Sequence, residues 1–139
     1  MSTIGYRIAA AARSYVGTPF VHHGRRPGVG LDCAGVAFCA AWDAGLAVAD
    51  ERAYGKLPKP DFLLDMLSQR CNRIEEHERL PGDVLLFTYG KSNPAHFAVL
   101  EHDDRMVHAL ELRRKVLYVP LGPAWRERLH SYWRFKGVS

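Results

Sequence analysis

The chain is short of cysteine. It has three, Cys33, Cys39 and Cys71, an odd number that cannot all pair, and their spacing matches neither a redox C-x-x-C motif nor a zinc knuckle. A disulfide scaffold is therefore excluded, and a reduced protein made in the cytoplasm is expected. No apolar run reaches the length of a membrane span, so membrane insertion is not expected. The first residues, Met1-Ser2-Thr3-Ile4-Gly5-Tyr6-Arg7, lack the charged start and apolar stretch of a secretory signal, so a target outside the cell would need another route of delivery. Charge of one sign is scarce too: the net charge is +4, and the basic clusters Arg25-Arg26 and Arg113-Arg114-Lys115 are short and read as solvated loop or strand ends. Nucleic acid is accordingly not an expected partner. Repeats, low-complexity tracts and alternating βαβ units are absent as well.

What is present is enough for one domain over residues 1–139, with 47% apolar and 24% charged residues, ordinary for a globular fold. Ile4 to Val16 reads as an amphipathic helix closed by Gly17. Gly17 to Gly28, with three glycines and two prolines in twelve residues, is loop. A helix follows from Cys33 to about Gly45, residues 47 to 60 are irregular, and Asp61 to Arg70 forms a third helix. Strands are predicted at Cys71 to Glu75, Val84 to Tyr89, Ala95 to Glu101, Arg105 to Glu111, Lys115 to Val119 and Tyr132 to Lys136. Leu80 to Asp83 and Gly90 to Pro94 are turns, and Pro123 to Leu129 is a short helix or turn. Helices first and a meandering antiparallel sheet second is the order of an α+β domain, with the Cys33 helix packed on the sheet.

Chemistry concentrates at Gly28-Val29-Gly30-Leu31-Asp32-Cys33-Ala34-Gly35. Asp32 reads as an N-cap rather than a catalytic acid, which places Cys33 in the first turn of a helix. There, unpaired N–H groups and the helix dipole favour a thiolate, so the thiol is expected to be acidic and nucleophilic. By position alone Cys33 is either a nucleophile or a small buried residue at a helix start. A cysteine nucleophile needs a base that can return the proton, and histidine suits that near neutral pH. His96 opens one predicted strand and His108 lies inside the next. A three- or five-residue hairpin loop puts both on one face, whereas a two-residue loop would split them. Two histidines in register beside Cys33 allow a triad in which Cys33 attacks, His96 is the base and His108 orients it.

Five segments in this order resemble the NlpC-type cell-wall cysteine peptidases, a papain-like family. They are Ala12 to Phe20, Leu31-Asp32-Cys33-Ala34-Gly35-Val36, Leu80 to Phe87, Ala95-His96-Phe97-Ala98-Val99 and Met106-Val107-His108-Ala109. The Gly-Thr-Pro run at Gly17-Thr18-Pro19 and the compact length look most like the phage-associated branch. The resemblance implies an NlpC-type fold, with Cys33 as nucleophile, His96 as general base, His108 as polar orienting residue and the Cys33 N–H as an oxyanion donor. It implies hydrolysis of peptidoglycan stem peptides between γ-D-glutamate and a diamino acid, at the cell wall, with phage tail proteins as further partners and with no cofactor or metal.

The chain departs from that family at Phe20, where tyrosine is usual, and at Ala34, where serine is common. His22 and His23, in the loop leading to Cys33, are candidates with Phe20 for lining the substrate cleft, although paired loop histidines are more simply solvated. Cys39 and Cys71 are expected to be buried and inert, and Trp42, Trp125 and Trp133 to belong to the core. Competing readings are a zinc module built on Cys33, His96 and His108, which lacks an obvious fourth ligand, and a catalytically weak tail-tip protein of the same fold. A lipid-acting relative is a further reading, but the permuted lipid-acting forms place histidine before cysteine, the reverse of the order here.

Overall fold

Three helices on one face of a six-stranded antiparallel sheet and a short fourth on the other build the fold, in a computed structural model that describes residues 3–59, 61–89 and 93–139. Helix α1 (Thr3–Ser14) buries Ile8, Ala9 and Ala12 and leaves Arg7 and Arg13 exposed, the one-sided pattern read from its sequence. The glycine-rich loop after it carries a small hairpin of β1 (Arg25–Arg26) and β2 (Gly30–Leu31). Helix α2 (Cys33–Asp43) is buried from Ala34 through Ala41. Its many alanines and Gly35 let it lie tightly against α1 and the sheet. Gly35 has no alternative: a Cβ there would meet the Gly24 carbonyl oxygen at 2.2 Å.

Helix α3 (Phe62–Arg70) leads into β3 (Cys71–Ile74), followed by β4 (Val84–Tyr89), β5 (Asn93–Glu101), β6 (Arg105–Leu110) and β7 (Lys115–Pro120). A short helix α4 (Pro123–Arg128) precedes β8 (Leu129–Phe135). The sheet order is β3-β8-β4-β5-β6-β7, so the last strand is inserted between β3 and β4. Of the turn predicted at Gly90 to Pro94, Asn93 and Pro94 belong to β5, and Gly90 to Ser92 lie outside the described residues. The last strand starts at Leu129 rather than Tyr132, because a bulge lets Leu129 pair with Phe87 of β4.

Both faces of the sheet are covered, which explains why Val84-Leu85-Leu86-Phe87 is apolar without alternation. Val84 and Leu86 join the core beneath α1, α2 and α3, with Phe38, Phe97 and Phe135. Leu85 and Phe87 join a second cluster on the opposite face, with Ala98, Leu100 and Met106, closed by Trp125 of α4. Each fully buried phenylalanine stabilises the fold by roughly 1.5–3 kcal/mol.

The β5–β6 hairpin decides the register question. Glu101 pairs with Arg105, leaving a three-residue loop in which Asp103 and Asp104 take left-handed backbone angles. His96 and His108 are therefore in the same phase and share a face.

Candidate active site

The start of α2 is held by a single carboxylate. Asp32 Oδ1 accepts from the Gly35 N–H at 2.7 Å, the N-cap bond read from the sequence, and from Arg25 Nη1 at 2.8 Å. Its Oδ2 accepts from the His23 N–H at 2.9 Å and from the Tyr54 hydroxyl at 2.5 Å. Arg25, expected to be solvated, is instead an interior cation with a side chain only 3% exposed. Besides Asp32 it binds Asp50 at 2.9 Å and the Tyr54 hydroxyl at 2.8 Å. A buried guanidinium requires such company, since taking it out of water unpaired would cost several kcal/mol.

On this base Cys33 is half-buried and lines a partly open cleft with His96, Phe20 and His22. Its acidity departs from the expectation. Burial pushes the thiol up to about 12, and the Asp32 carboxylate adds to that, while the Phe97 and Ala34 N–H groups aimed at the sulfur pull it down. The donors at the helix start are present, but desolvation outweighs them.

Phe97 can reach the sulfur because the sheet opens here. The β5–β6 pairing ends at Val99–Val107, although both strands run on. Leu100 exchanges its hydrogen bonds with Gly82 and Asp83, on the β4 side, so by alternation the Phe97 N–H faces the gap towards β6.

Beside that gap, His96 Nε2 and His108 Nδ1 share a hydrogen bond of 2.9 Å, the rings standing edge to face at 5.1 Å. Both are buried, at 3% and 1% exposure. Burial, His108 and Arg128 hold His96 well below the ordinary imidazole range, and burial lowers His108 to about 4. Both rings are thus neutral, as is the thiol. They are in phase with Ala98, Leu100 and Met106 of the second cluster, so they back onto Trp125 rather than onto α2. Trp125 was expected in the core. It is only half-buried, and its ring lies 5.6 Å from His96 and 5.0 Å from His108.

The sequence profile of the NlpC/P60 family matches residues 17–134. This chain belongs to the NlpC/P60 family. The fold is similar to that of an NlpC/P60 family protein from Bacillus cereus, with a TM-score of 0.73 at 21% identity, covering 97% of this chain and 41% of that one. It is similar to the NlpC/p60 domain of the peptidoglycan hydrolase SagA, with a TM-score of 0.64 at 21% identity over 92% and 96% of the two chains. RipD from Mycobacterium tuberculosis, a non-catalytic NlpC/p60 domain protein adapted to peptidoglycan binding, has a TM-score of 0.64 at 18% identity over 98% and 99%. Among curated proteins, the tail tip assembly protein K of Escherichia phage lambda is 36% identical over 58 residues, 40% of this chain and 28% of that protein. The chain thus spans well under half the length of the phage and Bacillus relatives. No helix among the described residues is long and apolar enough to cross a membrane.

In this NlpC/P60 chain, Cys33 and His96 line one cleft with Phe20 and His22. His23 is not on that lining. Its Nε2 bonds the Tyr54 carbonyl at 2.6 Å and its φ of 63° belongs to the turn that brings its N–H to Asp32, so its role is to hold the floor. Cys39 is buried, its thiol donating to the Arg25 carbonyl at 3.3 Å, and Cys71 is buried as well. Tyr54, Lys56, Tyr89 and Glu111 line the cleft without having been picked out from the sequence. Tyr54 and Lys56 come from the irregular segment 47–60, where no periodicity marks a partner. The only signal for Tyr54 is indirect: an N-cap aspartate ahead of the cysteine, seven residues after Arg25.

Proposed function

We propose that residues 1–139 form a cysteine peptidase that hydrolyses peptidoglycan stem peptides at the γ-D-glutamyl to diamino acid bond, acting at the cell wall as a phage-tail-associated hydrolase. The observation that carries it is a cysteine at a capped helix start sharing one cleft with a histidine whose far nitrogen is held by a second histidine. The likeness to the NlpC/p60 domain of the peptidoglycan hydrolase SagA supports the substrate, and the likeness to the lambda tail tip protein supports the setting.

With Nε2 of His96 engaged by His108, Nδ1 is the base. It takes the thiol proton as sulfur attacks the scissile carbonyl carbon, and the carbonyl electrons pass to an oxygen received by the Cys33 N–H at the helix start. On collapse the C–N bond breaks and the amine leaves with the proton from His96, giving a thioester. Water, deprotonated by His96, then cleaves the thioester and restores the thiol. Burial disfavours the charged forms of both the thiol and the imidazole, so the proton transfer that accompanies attack is what supplies the nucleophile.

A second reading is a peptidoglycan-contacting tail protein of the same fold without useful catalysis. Phe20, which brings no hydroxyl to the cleft, and the raised Cys33 thiol favour it, as does the non-catalytic RipD domain. Purified peptidoglycan and L-Ala-γ-D-Glu-diaminopimelate, incubated with wild type and Cys33→Ala and analysed by mass spectrometry, separate the two. Cleavage by wild type alone supports the peptidase. Intact substrate with wild type, together with co-sedimentation on peptidoglycan, supports the binding protein.

A further inference from the structure

The cleft above Cys33 does not end at the chemistry. A second hollow adjoins it, and the two share Phe20, His22, Lys56 and Glu111 as walls, so they form one groove leading from the thiol out to Arg114. Across it lies an ion pair, Lys56 Nζ to Glu111 Oε1 at 3.2 Å, with side chains 66% and 57% exposed. Its ends are tied to the two halves of the machinery. Lys56 follows by two residues Tyr54, which binds Asp32 beneath the cysteine. Glu111 follows β6, the strand that presents His108.

The charged side chains lining the groove are Asp32, Lys56, Glu111 and Arg114. Asp32 has all its acceptor positions filled from within the protein. A ligand in the groove therefore meets one carboxylate and two cations, and the carboxylate and the nearer cation already touch. An exposed pair of this kind is weakly held, because water competes for both charges. A ligand carrying one ammonium and one carboxylate can split it and satisfy both ends, whereas a ligand with one charge leaves the other end without a protein partner.

Building on the peptidase reading, we propose that Lys56 and Glu111 are specificity-determining residues that a zwitterionic peptide pries apart, Glu111 receiving its ammonium and Lys56 its carboxylate. Arg114, further along the groove, adds to the attraction for the carboxylate. In the stem peptide of the proposed function, these two ends are the distal amine and the distal carboxylate of the diamino acid.

The test reads binding rather than turnover. In the Cys33→Ala protein, calorimetry compares L-Ala-γ-D-Glu-diaminopimelate with the same peptide acetylated at the distal amine and with the peptide amidated at the distal carboxylate. The unmodified peptide is expected to bind about three- to tenfold more tightly than either. Adding Glu111→Gln should abolish the penalty for acetylation and keep that for amidation, and adding Lys56→Met should do the reverse. Equal binding of the three peptides, no binding of any, or equal weakening of all three by either substitution overturns the proposal. Hydrolysis by the wild-type protein is scored separately: discrimination in binding without cleavage refutes the peptidase and leaves the charge-pair reading standing.

Discussion

The floor and the rim of the cleft are built on opposite terms. On the floor, Asp32, Arg25, Tyr54 and His23 form a web in which the carboxylate has four partners and the guanidinium is almost wholly covered. The neighbouring His96–His108 pair is equally buried. On the rim, Lys56 and Glu111 meet in solvent through one contact, and Phe20 and His22 flank them. A buried charge must be fully partnered, so the floor tolerates no loss, while an exposed pair exchanges partners at little cost. Geometry is thus fixed beneath the cleft, and contacts are replaceable above it.

The comparison can be broken first at the base. His96→Ala should lower kcat for the tripeptide about 10²–10⁴-fold with KM nearly unchanged, read by product release under substrate saturation. Retained turnover would put the base elsewhere. Next comes the web. Asp32→Ala leaves Arg25 buried without its main partner and should destabilise the fold by about 3–5 kcal/mol in denaturant titration. A shift no larger than that of a surface mutant would show the web to be slack.

Acid should find the histidine pair. A buried imidazole stays neutral in the native chain while the same group in the unfolded chain takes up a proton, so the unfolded state binds more protons and stability falls as pH drops. For His108 the fall begins near 6.5 and is complete near 4, on the order of 3 kcal/mol in all. His108→Gln should flatten that slope, as followed by denaturant midpoints across the range. Smallest is the rim: Lys56→Ala should change stability by less than about 1 kcal/mol, a shift read in the same titration. A larger effect would mean that the strut holds the fold and not only the ligand.

Much of this was legible in the chain. The cap and the cysteine stand side by side in sequence, and the two histidines sit on adjacent strands, so local geometry alone brought His96 and His108 together once the loop length was known. The opening between β5 and β6 was not legible, because periodicity specifies which face a residue takes and says nothing of where a ladder stops. Arg25 was misjudged for a related reason. A basic doublet in a glycine-rich loop looks solvated until the acidic partner seven residues on is seen to be buried with it. The thiol's acidity was misjudged because a helix start is visible in sequence and the desolvation that overrides it is not.

β8 is the final strand along the chain, yet it lies between β3 and β4. A polypeptide cut short of Leu129 would lack an inner slat rather than an edge, leaving β3 and β4 each without the partner that β8 provides. Such a fragment carries the thiol and both imidazoles but not the strand that ties β3 to the rest of the sheet. The sheet that carries both imidazoles is therefore completed by a strand that follows them in the chain.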